Sequence, residues 1–109
     1  MTPVPADQQR AFLSQVIPPA AAICPQYGLD PEQCVAEAVE GSSWGRFTIG
    51  FNWWCLPGEG DAGFYSLLRP VRTYQQQGGG WASETERLAK FSSPHAAVRA
   101  WCEATRGAA

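Results

Sequence analysis

Residues 29–45 read LDPEQCVAEAVEGSSWG, and the first five of them spell out how a helix begins. Asp30 supplies a side-chain acceptor for an N-cap. Pro31 fits the first helical position, where no backbone N–H is needed, and Gln33 stands where a reciprocal capping side chain would be. The helix that follows carries Cys34, Val35, Ala38 and Val39 toward a core. Gly41, Ser42 and Ser43 end it within about three turns, just after Glu40.

Working back from this helix, Phe12, Leu13, Val16 and Ile17 recur at helical spacing between Asp7 and Ile17, which predicts a first short helix. Pro18 and Pro19 cannot continue it but suit a new first turn, so a second segment is expected through Ala20, Ile23 and Cys24, with Gly28 as its stop. Working forward, residues 47–63, FTIGFNWWCLPGEGDAG, read as a long surface loop or a broken helix around Asn52 to Leu56. Leu67 to Trp81, with QQQGGG inside it, predicts a small β-hairpin. The last element is expected from about Glu84 to the end, interrupted at Ser92-Ser93-Pro94, where Ser93 can cap a helix starting at Pro94. Ala97, Val98 and Trp101 form that helix's buried face. The order is helices, aromatic loop, hairpin, helix, an α+β class that is mainly helical, in one domain spanning residues 1–109.

Composition narrows the chemistry. The chain has 109 residues, 45% of them hydrophobic and 17% charged, with five Trp. That density of large amphipathic rings predicts a binding surface as well as a core, and sugar rings are natural partners for such faces. Eight basic residues against ten acidic give a net charge of −2, with no Lys/Arg run to track a phosphate backbone, so no nucleic-acid partner is expected. No apolar run reaches the ~18 residues of a membrane span. The opening MTPVPADQQR lacks the basic-then-apolar pattern of a secretory leader, so the expectation is either that the chain is an excised piece or that export is by another route, such as phage lysis or a virion.

Four cysteines, Cys24, Cys34, Cys55 and Cys102, suit two disulfides in an oxidising compartment, and 24–34 with 55–102 is the favoured of three connectivities. Zinc is the rival reading, weakened by the absence of any C-x-x-C pair and by His95 being the only histidine. No metal is therefore expected.

Glu40 lies where a helix gives way to a Ser/Gly turn, next to Trp44. A carboxyl held against an apolar wall resists ionisation, which is what a proton donor to a glycosidic oxygen requires, whereas a glutamate on a last turn is ordinarily just solvated. Residues 12–45 resemble the N-terminal half of the family 73 glycoside hydrolases, the flagellar and autolysin N-acetylglucosaminidases. The matching pieces are Pro19-Ala20-Ala21, Tyr27-Gly28, Ala36-Glu37-Ala38 and Glu40-Gly41-Ser42-Ser43-Trp44-Gly45, followed by Gly50-Phe51-Asn52-Trp53-Trp54 and by Phe91-Ser92-Ser93-Pro94. Several short motifs in the family's order are more specific than any one alone.

The resemblance implies a lysozyme-like domain with a small hairpin lobe. It further implies hydrolysis of β-1,4 bonds in peptidoglycan glycan strands, in the periplasm or outside the cell, by a monomer without cofactor. Two departures stand out. A gapless match sets Gly41 at the family's catalytic glutamate and Glu40 one position early, so a bulge or early helix end is expected to absorb the difference. The family's second carboxylate, in a Thr-x-Glu pattern, is matched by Gln75 in Thr73-Tyr74-Gln75.

The expected site is therefore Glu40 as acid and Asp61, ahead of Glu59, Glu84 and Glu86, as second carboxylate, with Glu37 the rival acid. Trp44, Asn52, Trp54 and Tyr74 are expected at the substrate, Asn52 at an acetamido group, with Trp81 a possible opposite wall. A lytic transglycosylase is the enzymatic alternative, although those enzymes carry Gly-Leu-Met-Gln after the acid where this chain has Phe51-Asn52-Trp53-Trp54. A glycan-binding domain that has lost the chemistry is the alternative from another class.

Overall fold

The computed structural model describes residues 3–73 and 79–107. Its elements, in order, are α1 (Ala6–Ile23), a 3₁₀ turn (Cys24–Tyr27), α2 (Pro31–Ser42), β1 (Phe64–Thr73), β2 (Gly80–Ala89) and α3 (Pro94–Gly107). The α+β, mainly helical class is as the sequence predicts.

Two boundaries differ. α1 runs unbroken through Pro18 and Pro19, where two short segments were expected. Each proline removes one ladder hydrogen bond, but Val16, Pro19, Ala20 and Ile23 form one buried stripe, so packing on α2 and α3 outweighs the local penalty. The second difference is the hairpin, which is longer than expected. Residues 84–89, assigned from sequence to the start of the last element, are the second half of β2.

α2 starts as predicted, with Glu32 N–H donating to the Asp30 carboxylate at 2.9 Å. The reciprocal half of the cap does not form, because Gln33 Nε2 donates instead to Glu37 Oε2 at 2.8 Å. At the other end Ser43, Trp44 and Gly45 all have positive φ (51°, 62° and 80°). A Cβ on Gly45 would lie 2.7 Å from the Phe12 ring, so only glycine fits there. α3 is capped as read from sequence, Ala96 N–H donating to Ser93 Oγ at 3.1 Å.

The three helices enclose a core of Ala20, Ile23, Cys24, Cys34, Val98, Trp101 and Cys102. A second cluster, Phe12, Val16, Ala38 and Trp53, continues it toward the segment after α2. That segment is irregular and largely exposed, as a surface loop would be, but its centre is a chain of turns folded inward, with Trp53 only 2% exposed and Asn52 buried.

The cysteines correct the disulfide reading. All four are free thiols. Cys24, Cys34 and Cys102 share the core, Cys102 Sγ approaching Cys24 Sγ at 3.7 Å, well beyond the ~2.05 Å of a bond. Cys55 is exposed beside the Gly41 carbonyl, so a 55–102 bridge is excluded by position. Buried stripes of α1, α2 and α3 converge on one point, and sequence proximity does not reveal that convergence. The thiols thus give no support to an oxidising compartment.

β1 and β2 pair antiparallel from Phe64↔Ala89 to Thr73↔Gly80. The ribbon joins the helical body at its base, where Leu88 and Ala89 are buried and Ala89 N–H donates to Leu56 O at 3.0 Å. The molecule is elongated, 53 × 35 × 25 Å. Among the described residues, no helix is long and apolar enough to cross a membrane.

Candidate functional site

Glu40 and Trp44 line one groove, of about 520 Å³, between α1 and α2. Its walls are otherwise almost wholly apolar, with Leu13, Ile17, Val35 and Val39 prominent. Trp44 is half-buried and packs edge-on against Phe12, with ring centroids 6.3 Å apart. The Glu40 side chain is exposed at the rim, so the apolar wall stands beside its carboxyl without covering it. The only other carboxylate on the groove among the described residues, Glu32, lies eight residues earlier on α2, about 12 Å along the axis, too far to share a bond with Glu40.

The expected adjustment around Glu40 does not occur. α2 continues as regular helix through Gly41 to Ser42, so Glu40 and Gly41 point about 100° apart around its axis. Gly41 faces the chain after the helix, where an added Cβ would lie 2.4 Å from the Trp53 carbonyl oxygen. The position at which a gapless match sets a glutamate therefore accepts no side chain unless the backbone at Trp53 moves. Ser42, next along, is buried. Its Oγ donates to Ala38 O at 2.6 Å and accepts from Gly45 N–H at 2.8 Å, which fixes the turn that presents Trp44.

Asp61 is not brought to Glu40. It borders a different groove, about 560 Å³, with Glu59, His95, Arg99 and Glu103. Its carboxylate accepts from Ser92 N–H at 3.0 Å and from Ser92 Oγ, tying the loop to the start of α3. These hydrogen bonds hold its carboxyl below the ordinary carboxylate range.

Asn52 is committed to the backbone. Its Nδ2 donates to Leu56 O and to Ala89 O, both at 2.9 Å, and its Oδ1 accepts from Leu56 N–H at 2.8 Å. It joins the inward turns to the base of β2 and leaves nothing for an acetamido group. Trp54 lies between Trp53 and Trp101, and its Nε1 donates to Cys34 O at 3.1 Å. Tyr74 and Gln75 lie outside the described residues.

The remaining acids are also accounted for. Trp101 Nε1 donates to Glu37 Oε1 at 3.3 Å, so this rival of Glu40 links α2 to α3. Glu86 pairs with Arg69 at 3.3 Å across the ribbon. Glu84 and Trp81 are exposed on β2, and Trp81 lines neither groove.

One feature escapes the sequence reading. The opposite side of Trp44 borders a pocket of about 280 Å³ with Gln8, Gln15, Arg46 and Trp53. Gln8 and Gln15 are seven residues apart, hence on one face of α1, and that spacing was the available signal. Trp44 thus divides an apolar groove holding Glu40 from a pocket lined with amide and guanidinium groups. The arrangement offers a stacking surface, hydrogen-bond donors and an exposed carboxyl within one neighbourhood.

No protein-family model matches the chain, and no curated protein sequence matches it significantly. Solved structures do. The catalytic domain of the autolysin Auto from Listeria monocytogenes superposes with a TM-score of 0.68 at 21% identity, over 94% of this chain and 58% of that one. A peptidoglycan hydrolase mutant from Sphingomonas sp. A1 gives 0.62 at 18% identity, over 87% and 64%. A C-terminally truncated glycoside hydrolase domain of Salmonella typhimurium FlgJ gives 0.63 at 18% identity, over 91% and 69%. The chain shares its fold with these domains and spans 58 to 69% of their length.

Proposed function

We propose that this protein is a cell-wall glycan hydrolase acting on peptidoglycan, with Glu40 as its general acid. The observation that carries the reading is the pairing of Glu40 and Trp44 on one groove of a fold shared with an autolysin catalytic domain, a peptidoglycan hydrolase and a glycoside hydrolase domain. A sugar stacked on Trp44 would bring its glycosidic oxygen beside the neighbouring carboxyl. Glu40 then protonates the leaving oxygen of a β-1,4 bond as the oxocarbenium-like transition state develops.

With Asp61 bound to Ser92, the better support for that transition state is the substrate's own acetamido group, a route that needs no protein nucleophile. Gln8, Gln15 and Arg46 are the groups suited to hold the neighbouring sugar through amide and guanidinium hydrogen bonds. The reading places the protein's work at the cell wall, as a monomer and without metal or organic cofactor.

Incubation with purified peptidoglycan tests it. Release of ordinary reducing ends by the natural chain, and loss of at least ~100-fold of that rate in Glu40→Gln with folding intact, is the expected result. Anhydro-muramic ends would reassign the reaction to transglycosylation. A second reading is favoured by one observation, the closure of position 41 against Trp53: a domain that keeps the fold and binds glycan without cutting it. Binding with no product from the natural chain would establish that reading in place of hydrolysis.

A further inference from the structure

The register of the ribbon sorts its side chains onto two unlike faces. Residues paired directly across an antiparallel ladder project to the same side, and alternate positions share a face. Phe64, Leu68 and Arg72 of β1 therefore stand with Trp81, Thr85 and Arg87 of β2. The opposite face carries Arg69, Glu84 and Glu86.

The first face has two arginines and no acid. The Arg87 guanidinium lies 4.0 Å from the centroid of the Phe64 ring, and the Arg72 guanidinium 5.7 Å from that of Trp81. Stacking occupies the flat side of a guanidinium and leaves its N–H edge free for a carboxylate. The rings hold both cations in place, which reduces the entropy lost when they bind an anion. The two pairs sit eight residues apart on β1, about 27 Å along the ribbon, so their joint target is an extended polymer.

Between them Leu68 is 75% exposed, and Trp81 at the far end is 70% exposed. Large apolar side chains exposed on one face of a water-facing ribbon suit a contact surface. The other face, with two acids against one arginine, repels anions.

We infer that this arginine–aromatic face of the ribbon binds carboxylate-bearing glycan strands of the cell wall, its rings and Leu68 against the sugars and Arg72 and Arg87 on the acidic substituents. The surface is separate from the Glu40 groove. It holds the polymer along the arm while the helical body meets the bond. The inference rests on the wall-directed reading of the protein but not on its cutting the bond.

The test uses the full chain and purified peptidoglycan stripped of teichoic acid, compared with the same material after its carboxylates are converted to amides. Binding is measured by co-sedimentation. Affinity for the native wall is expected to fall about tenfold or more in R72A/R87A, equivalent to about 1.4 kcal/mol, and to fall similarly for the natural chain on amidated wall. Trp81→Ala is expected to weaken both materials, and E84Q/E86Q to leave binding unchanged or tighter. These side chains are exposed, and far-ultraviolet circular dichroism checks each variant's fold.

Native-wall binding by R72A/R87A within twofold of the natural chain, or equal binding of amidated wall, overturns the inference even if peptidoglycan is still cut. Loss of binding in R72A/R87A while the natural chain releases no reducing ends supports it and removes the hydrolase reading. Failure of the natural chain to bind wall at all ends both.

Discussion

Gly41 separates what a motif implies from what a backbone allows. A helix interior favours alanine over glycine by about 1 kcal/mol, so on propensity alone Gly41→Ala would stabilise α2. Its new Cβ, however, would meet the Trp53 carbonyl oxygen at 2.4 Å, and that atom belongs to a backbone fixed by the buried Trp53 ring. Overpacking of this kind costs about 1–3 kcal/mol, enough to reverse the sign. Gly41→Ala is expected to lower the urea midpoint, while Gly107→Ala, which meets nothing within 4 Å, leaves it unchanged or slightly raised. A Gly41→Glu chain is expected to be less stable still, because a glutamate fits there only if the chain around Trp53 moves.

Asp61 gives a prediction with a definite sign. Its hydrogen bonds to Ser92 lower its folded pKa below the ordinary 3.8, so its stabilising contribution is present above that value and is lost as pH falls through the folded one. Asp61→Asn is expected to destabilise the chain at neutral pH and to flatten the decline in melting temperature below pH 4. An acid limb unchanged by the substitution would remove Asp61 from the account of acid stability. At this scale the sequence was legible where a residue acts on its own neighbours, as with the Asp30 and Ser93 caps. It was not legible for Asn52, whose partner Ala89 lies 37 residues away, or for the direction of Glu40, which depends on α2 keeping regular helical geometry through Gly41 and Ser42.

The elements show how tertiary packing overrides local signals. Two adjacent prolines predict a helix end, yet α1 passes through them because Pro19 itself belongs to the buried stripe. The same stripe brings Cys24 to Cys34 and Cys102, and burial of those thiols has a measurable result. Desolvation, reinforced by the neighbouring thiols, pushes Cys102 up to about 12 and Cys34 higher still, so neither supplies reactive thiolate near neutrality. Native protein treated with a disulfide reagent is expected to lose one thiol quickly, Cys55, and to yield the other three only in denaturant. Cys55→Ser should abolish the fast phase. Two fast thiols, or none, would contradict this arrangement of α1, α2 and α3. Cysteine count alone could not distinguish three buried thiols and one exposed one from two bridges, since both arrangements use the same four residues.

Across the whole molecule, stability is unevenly distributed, because the helices share a core and the ribbon does not. An isolated two-stranded ribbon is marginal in water, and among the described residues it is tied to the body at its base, through Leu88, Ala89 and the Leu56 carbonyl. Toward the tip, side-chain contacts across the strands among the described residues include the exposed pair of Arg69 with Glu86 and the stacking of Arg72 on Trp81, each worth about 1 kcal/mol or less. Ladder amides in the outer half of the ribbon should therefore exchange with deuterium through local opening, long before the amides of Val98 to Cys102, which open only with the whole core. Native-state exchange followed by NMR tests this, and equal protection in the ribbon and α3 would show that the arm is held by contacts beyond its base. Addition of peptidoglycan fragments should slow exchange in the arm if Arg72 and Arg87 engage carboxylates there, since a polymer bound along both strands must dissociate before they separate. An arm loose when free and ordered on the wall could adapt its two arginines to an irregularly substituted strand, while the helical body keeps Glu40 and Trp44 in fixed relation.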